Sequence, residues 1–279
     1  MKTLRMMMGV AAATMLVVAA STKAEAQKTL VLYYSQTSNT KAVAECIADY
    51  LNADIEAIEA VIPYDSDYKS TIERSRKERE AGITPEINPV KADIAKYDVI
   101  FLGYPIWFGT YAPPIATWLN QVDLSGKQVV PFCTFGSGGL ESSVMILKQK
   151  QPKAQILDGY GVRAARMDAM PEEVRQFLIA NGFVKGESVK LEPFSASHLV
   201  NKEEEAIFDA AVGDYPMISA RARTVASRPI PNGMEYLFTA TEKPRRNPDP
   251  NLQMRPPKEM EVYVIVVNGQ APEFTKVVR

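Results

Sequence analysis

The chain has 279 residues, 46% hydrophobic and 23% charged, with a formal net charge of −1. That composition is globular and supplies apolar material for one large core or two smaller ones. It excludes the basic excess expected of a nucleic-acid binder and the polybasic tract expected at a membrane surface.

At the N-terminus, Lys2 and Arg5 precede an apolar run from Met6 to Ala20. "STKAEAQ" follows, with small residues at Ala24 and Ala26. A positive start, a short apolar core and an A-x-A site predict a signal peptide over 1–26, cleaved after Ala26. An uncleaved membrane anchor would need a longer apolar stretch. The mature chain is therefore expected to begin near Gln27, exported and first of all periplasmic, with no membrane span.

"KTLVLYYS" (28–35) is a continuous apolar run of strand length, the mark of a parallel strand buried on both faces. From Asn39, apolar residues recur at helical spacing through Leu51. "ADIEAIEA" (53–60) reads as a second strand, and the charged stretch 67–82 as a surface helix or excursion. "YDVIFLGYP" (97–105) is a buried strand and "APPIATWLNQV" (112–122) a helix with prolines in its first turn. Strand 127–136, helix 140–151, strand 154–163 and helix 171–182 continue the alternation. Five strands alternating with helices predict a doubly wound α/β sheet, whose ligands sit at the carboxyl ends of its strands.

After Gly186 the pattern changes. A helix over 201–213 precedes four β-like runs, 217–227, 234–243, 260–269 and 273–279, with a proline-rich gap at 243–259. That predicts a separate small α+β domain over 187–279, loosely cystatin-like in layout, behind a first domain at 27–186. Charges divide evenly between the two. Cys46 and Cys133, set among apolar neighbours in a helix and a strand, read as buried free thiols rather than a disulfide. The single histidine, His198, reads as a loop or packing residue, and no metal-ligand spacing occurs.

Three loops at the carboxyl edge carry the chemistry. "SQTSNT" (35–40) joins strand to helix, so its N–H groups gather where an anion is stabilised. Ser35, Thr37, Ser38 and Thr40 add hydroxyls and Asn39 an amide, with no carboxylate to repel a phosphate. Plain helix capping would need one such residue. "GYPIWFGTYAPP" (103–114) brings Tyr104, Pro105, Ile106, Trp107, Phe108 and Gly109 to the same edge. Trp107 is the better candidate to cover a flat ligand, while Phe108 suits packing beneath the loop. "TFGSGG" (134–139), with Thr134, Phe135, Gly136, Gly138 and Gly139, offers a backbone that can approach a heterocycle closely. A phosphate cradle, an aromatic and a glycine-rich edge together describe a site for FMN.

These motifs resemble the flavodoxin family. "LVLYYSQTSNTKAVAECIA" is similar to its phosphate loop, with Ser35, Thr37 and Thr40 in the hydroxyl positions. "DVIFLGYPIWFGTYAPPIATWL" and "GKQVVPFCTFGSGGLESS" are similar to the flavin-flanking loops of a bacterial flavodoxin-like subgroup. Over residues 28–185 the resemblance implies a flavodoxin-like fold of strand order 2-1-3-4-5, noncovalent FMN and electron transfer. The partner would be a redox protein or a small-molecule electron donor or acceptor. An FMN-dependent oxidoreductase of quinone or NAD(P)H type stays open, and no catalytic side chain is named. Two departures stand out: Ser38 replaces a common glycine, and Phe135 is the single aromatic in the third loop. The competing reading is a non-catalytic exported scaffold that binds a partner through its C-terminal domain.

Overall fold

The computed structural model describes residues 27–213, 215–243 and 256–279. The expected signal peptide and most of the proline-rich gap lie outside the described residues.

The first half alternates strand and helix: β1 (Thr29–Tyr33), α1 (Asn39–Leu51), β2 (Asp54–Ala57), α2 (Tyr68–Ala81), β3 (Val99–Trp107), β4 (Thr110–Tyr111), α3 (Pro113–Gln121), β5 (Gln128–Phe135), α4 (Leu140–Lys150), β6 (Gln155–Ile156), β7 (Tyr160–Arg163) and α5 (Met170–Ala180). The parallel strands stand in the order β2-β1-β3-β5, with β6 and β7 both pairing the far side of β5. This is the expected 2-1-3-4-5 order, with the fifth strand in two pieces. Proline explains the break. The Val129 carbonyl accepts the Leu157 N–H, so Pro131, two residues on, faces the same neighbour and has no N–H to offer it.

Strand side chains alternate between two cores. Leu30, Leu32, Ile100 and Leu102 face α3 and α4, where Ile115, Trp118 and Leu147 meet them. Val31, Val99, Phe101 and Phe132 face α1 and α5, against Val43, Ile47, Val174 and Leu178. Each large side chain so buried contributes about 1.5–3 kcal/mol.

Residues 187–197 form no helix or strand. Beyond them come β8 (His198–Leu199), α6 (Lys202–Val212), β9 (Ala220–Ile230), β10 (Gly233–Glu242), β11 (Glu259–Val267) and β12 (Glu273–Val278). The sheet order is β12-β11-β10-β9-β8, antiparallel throughout. Helix α6 opens with a capping box, in which Asn201 accepts from the Glu203 and Glu204 N–H groups and Glu204 bonds back. It buries Phe208 and Val212 against Val225, Phe238, Val262 and Phe274. His198, expected to be a loop or packing residue, stands exposed in edge strand β8 with Nε2 2.9 Å from the Glu204 carboxylate. In β12, Phe274 pairs with Val264 and Lys276 with Tyr263, so Thr275 is an extra, bulged residue. No helix among the described residues is long and apolar enough to cross a membrane.

Both cysteines are free, Cys133 buried and Cys46 half-buried. Burial pushes the Cys133 thiol well above its usual value and raises that of Cys46. Thiolate is the reacting form. Ellman's reagent at pH 8 is therefore expected to leave Cys133 untouched in the folded protein, to label Cys46 slowly, and to titrate both rapidly in guanidinium.

Candidate functional site

The first loop reaches the edge because β1 ends in the sheet centre and α1 must start immediately. The start is unusual. Ser38, the N-cap residue, adopts φ +65°, and its hydroxyl caps nothing. A left-handed serine is what remains where glycine would sit without strain. Capping comes instead from Ser35, whose Oγ accepts the Lys41 N–H at 3.2 Å. The N–H groups of Thr37, Ser38, Asn39 and Thr40 have no hydrogen-bond partner among the described residues. No acid stands in the first turn of α1, and Thr37 and Ser38 are exposed. The N-terminal partial charge of α1 is thus uncompensated among the described residues. Gln36 is spent elsewhere: it accepts from the Tyr34 hydroxyl and donates to the Tyr64 and Asp65 carbonyls.

The second loop is shorter than expected. β3 runs on through Trp107 and turns back into β4, pairing Trp107 with Thr110. Phe108 and Gly109 form the two-residue turn, both at positive φ, +51° and +80°. Such a turn suits glycine and strains phenylalanine. Phe108 is not packed beneath the loop. It sits at the turn, 41% exposed, under the Arg79 guanidinium at 4.6 Å. Trp107 is half-buried, edge-on to Tyr64 at 5.0 Å and to Tyr34 at 6.0 Å.

Helix α2, which reads as a charged surface element, fixes these aromatics. Arg74 covers the Tyr64 ring at 3.9 Å, donates to the Ile62 and Pro63 carbonyls and pairs with Glu78 at 2.8 Å. Glu78 also accepts from the Tyr64 hydroxyl. Burial, then that bond, pushes the Tyr64 phenol far up, so it stays a neutral donor.

The third loop meets the first through one contact. The Thr40 and Thr134 hydroxyls are 2.8 Å apart, both buried, which ties the start of α1 to the end of β5. Phe135 is 5% exposed and packs in the core, so its ring cannot cover a ligand. Nor does the glycine run chiefly make room for a ligand. A Cβ on Gly138 would lie 2.0 Å from the Val277 carbonyl oxygen, and one on Gly136 would lie 2.4 Å from the Tyr215 hydroxyl. The C-terminal domain occupies that space. The Val277 N–H donates to the Ser137 carbonyl at 2.6 Å. Arg163, at the end of β7, donates from Nε to Gly136 O at 2.9 Å and from a terminal nitrogen to Phe274 O at 2.8 Å.

Of the expected residues, Ser35, Thr37, Ser38, Asn39 and Thr40 gather at the head of α1, with Trp107 across the edge and Thr134 bonded to Thr40. Tyr104 does not join them. It is fully buried, with its hydroxyl 3.1 Å from that of Ser143, and burial pushes its phenol far up. Pro105 and Ile106 continue β3, and Ile106 packs against Gly139. Tyr34, Gln36, Tyr64 and Arg163 go unforeseen. Tyr64 sits in "IPYDSDY", where no periodicity marks it.

The flavodoxin family profile matches residues 28–175. Among solved structures, a candidate flavoprotein from Bacteroides eggerthii is 31% identical, over 55% of this chain and 97% of that one, with a TM-score of 0.49. A flavoprotein from Lactobacillus acidophilus, solved in complex with FMN, is 27% identical over 49% and 93%, at 0.45. Flavodoxin 2 from Bacillus cereus is 20% identical over 56% and 97%, at 0.38. No curated protein matches.

Replacing Ser38 tests the strained start of α1. Ser38→Gly is expected to raise stability by up to about 1 kcal/mol, and the β-branched Ser38→Val to lower it by about 1–2 kcal/mol. Urea unfolding measures both.

Proposed function

Since this chain belongs to the flavodoxin family, we propose that its first domain binds FMN and works in electron transfer outside the cytoplasm. The observation that carries the reading is the head of α1: four consecutive N–H groups with no partner among the described residues, no acid in the first turn, and exposed hydroxyls on Thr37 and Ser38. These fit a phosphate held by neutral donors in the absence of an arginine. Bound FMN would supply reversible one- or two-electron redox chemistry.

The chain's own residues then have distinct tasks. Thr37 to Thr40 hold the phosphate end. Trp107 presents a half-buried ring for one face of the isoalloxazine, fixed edge-on by Tyr64 and Tyr34. The backbone of Ser137 to Gly139, whose N–H groups have no partner among the described residues, faces the rim. Thr40 and Thr134 keep the phosphate end and the rim at fixed separation. Electron transfer asks only that an edge of the ring stay reachable, and no side chain need move a proton. The electron donor or acceptor is a redox protein or a small molecule such as a quinone. Export rests on the positive start, apolar run and A-x-A site of residues 1–26.

The purified chain is expected to be yellow, or to become so on adding FMN. A colourless protein that does not quench added flavin would sink the proposal. Thr37→Ala removes one donor to a charged group, worth about 1.5–3 kcal/mol, so FMN should bind at least tenfold more weakly. Trp107→Ala should cost several-fold to tenfold. If neither changes the dissociation constant, the site lies elsewhere. Cell fractionation with N-terminal sequencing is expected to find the mature protein outside the cytoplasm, starting at Gln27; an intact Met1 on cytoplasmic protein overturns export.

A further inference from the structure

The C-terminal domain does not hang from the first as an independent module. It rests on the loop that the FMN reading assigns to the flavin rim. Three kinds of contact meet there. The first is backbone to backbone, Val277 N–H to Ser137 O at 2.6 Å. The second is Arg163, whose guanidinium bridges the Gly136 and Phe274 carbonyls and lies 3.4 Å from the centre of the Phe274 ring. The third is a set of ion pairs around it: Glu273 with Arg166 at 3.1 Å and with Arg163 at 3.7 Å, and Lys276 with Glu141 at 2.7 Å.

The interface is polar. Beside it lies an open cleft of about 340 Å³, walled by Arg166, Glu173, Glu235 and Lys276 together with Ile230 and Ile265. Contacts of this kind resemble those of separable domains, not those of a shared core. Docking through such contacts carries a free energy to which a ligand bound at the same loop can add. Among its contact points on the first domain, Gly136 to Gly138 are loop residues with no helix or strand of their own. An undocked second domain would free them; a docked one fixes the backbone on which the flavin rim would rest.

We infer that FMN binding and docking of the C-terminal domain strengthen one another through the loop from Gly136 to Gly139. This rests on the FMN reading. Linkage requires reciprocity: whatever factor docking adds to FMN affinity, FMN adds to docking. The fixed loop also removes an ordering cost that the cofactor would otherwise meet.

The test uses the full mature chain and changes made on the C-terminal side, away from the loops assigned to the cofactor. Val277→Pro deletes the interdomain N–H at an edge strand, where proline is tolerated. Tyr215→Ala removes the ring beside Gly136, and Glu273→Ala the acid shared by Arg163 and Arg166. Circular dichroism establishes that each variant folds. Proteolysis of the 187–197 segment and the radius of gyration report docking, and flavin fluorescence reports affinity. Expected is an FMN dissociation constant about tenfold higher in each variant whose domains separate. Also expected is slower cleavage of wild type at 187–197 when FMN is added. Variants that separate the domains yet bind FMN within twofold of wild type overturn the inference alone. So does wild-type cleavage that FMN leaves unchanged. A wild-type chain that takes up no FMN overturns the cofactor reading as well.

Discussion

A guanidinium at 7% exposure must have its donors answered, and Arg163 sets that condition at the end of the last parallel strand. Burial pulls its pKa down, while Glu273 and Tyr215 push the other way. The carbonyls that answer it come from opposite halves of the chain, one from Gly136 and one from Phe274. Neither half satisfies the group alone. A charge placed in the first domain thus fixes where the second must lie, and that position fixes the loop after β5. The two glycines follow from the same constraint, since any side chain at Gly138 would meet the backbone of β12.

On the opposite flank a helix with few apolar positions performs the comparable task. α2 contributes almost nothing to the core. Two of its three arginines lie over aromatic rings, Arg74 over Tyr64 and Arg79 over Phe108. Through Tyr64 it fixes Trp107. The left-handed Phe108 costs backbone energy that a glycine or asparagine would not, so the surroundings must hold it. Strain at Ser38 and at Phe108 falls at the two ends of the same edge. Both lie in loops that the FMN reading assigns to the cofactor, where strain can be part of a prearranged site.

The doubly wound half was legible because buried parallel strands leave unbroken apolar runs. "KTLVLYYS" and "YDVIFLGYP" permit few other readings. In the antiparallel half the helix and four of the five strands were legible, and the two-residue β8 was not. What the sequence concealed were relations that pattern does not encode. Tyr104 and Trp107 look alike as aromatics near a strand end, yet β3 continues far enough to bury the first and bring the second to the edge. Phe135 looked available and is core. The glycines of "TFGSGG" signalled close approach correctly but not by what, because partners as far along the chain as Tyr215 and Val277 leave no local trace. Arg163 reads as an ordinary strand-ending cation until the other domain closes over it.

The bulge at Thr275 has a consequence beyond local geometry. Without it, Phe274 and Val277, three positions apart, would direct their backbone groups to opposite sides of β12; with it, the Phe274 C=O and the Val277 N–H share the outer side. That side is the open margin of a five-stranded antiparallel sheet, the kind of margin that recruits further strands. Arg163 and Ser137 occupy it. The first domain therefore covers a strand edge of the kind that pairs with other strands when left open.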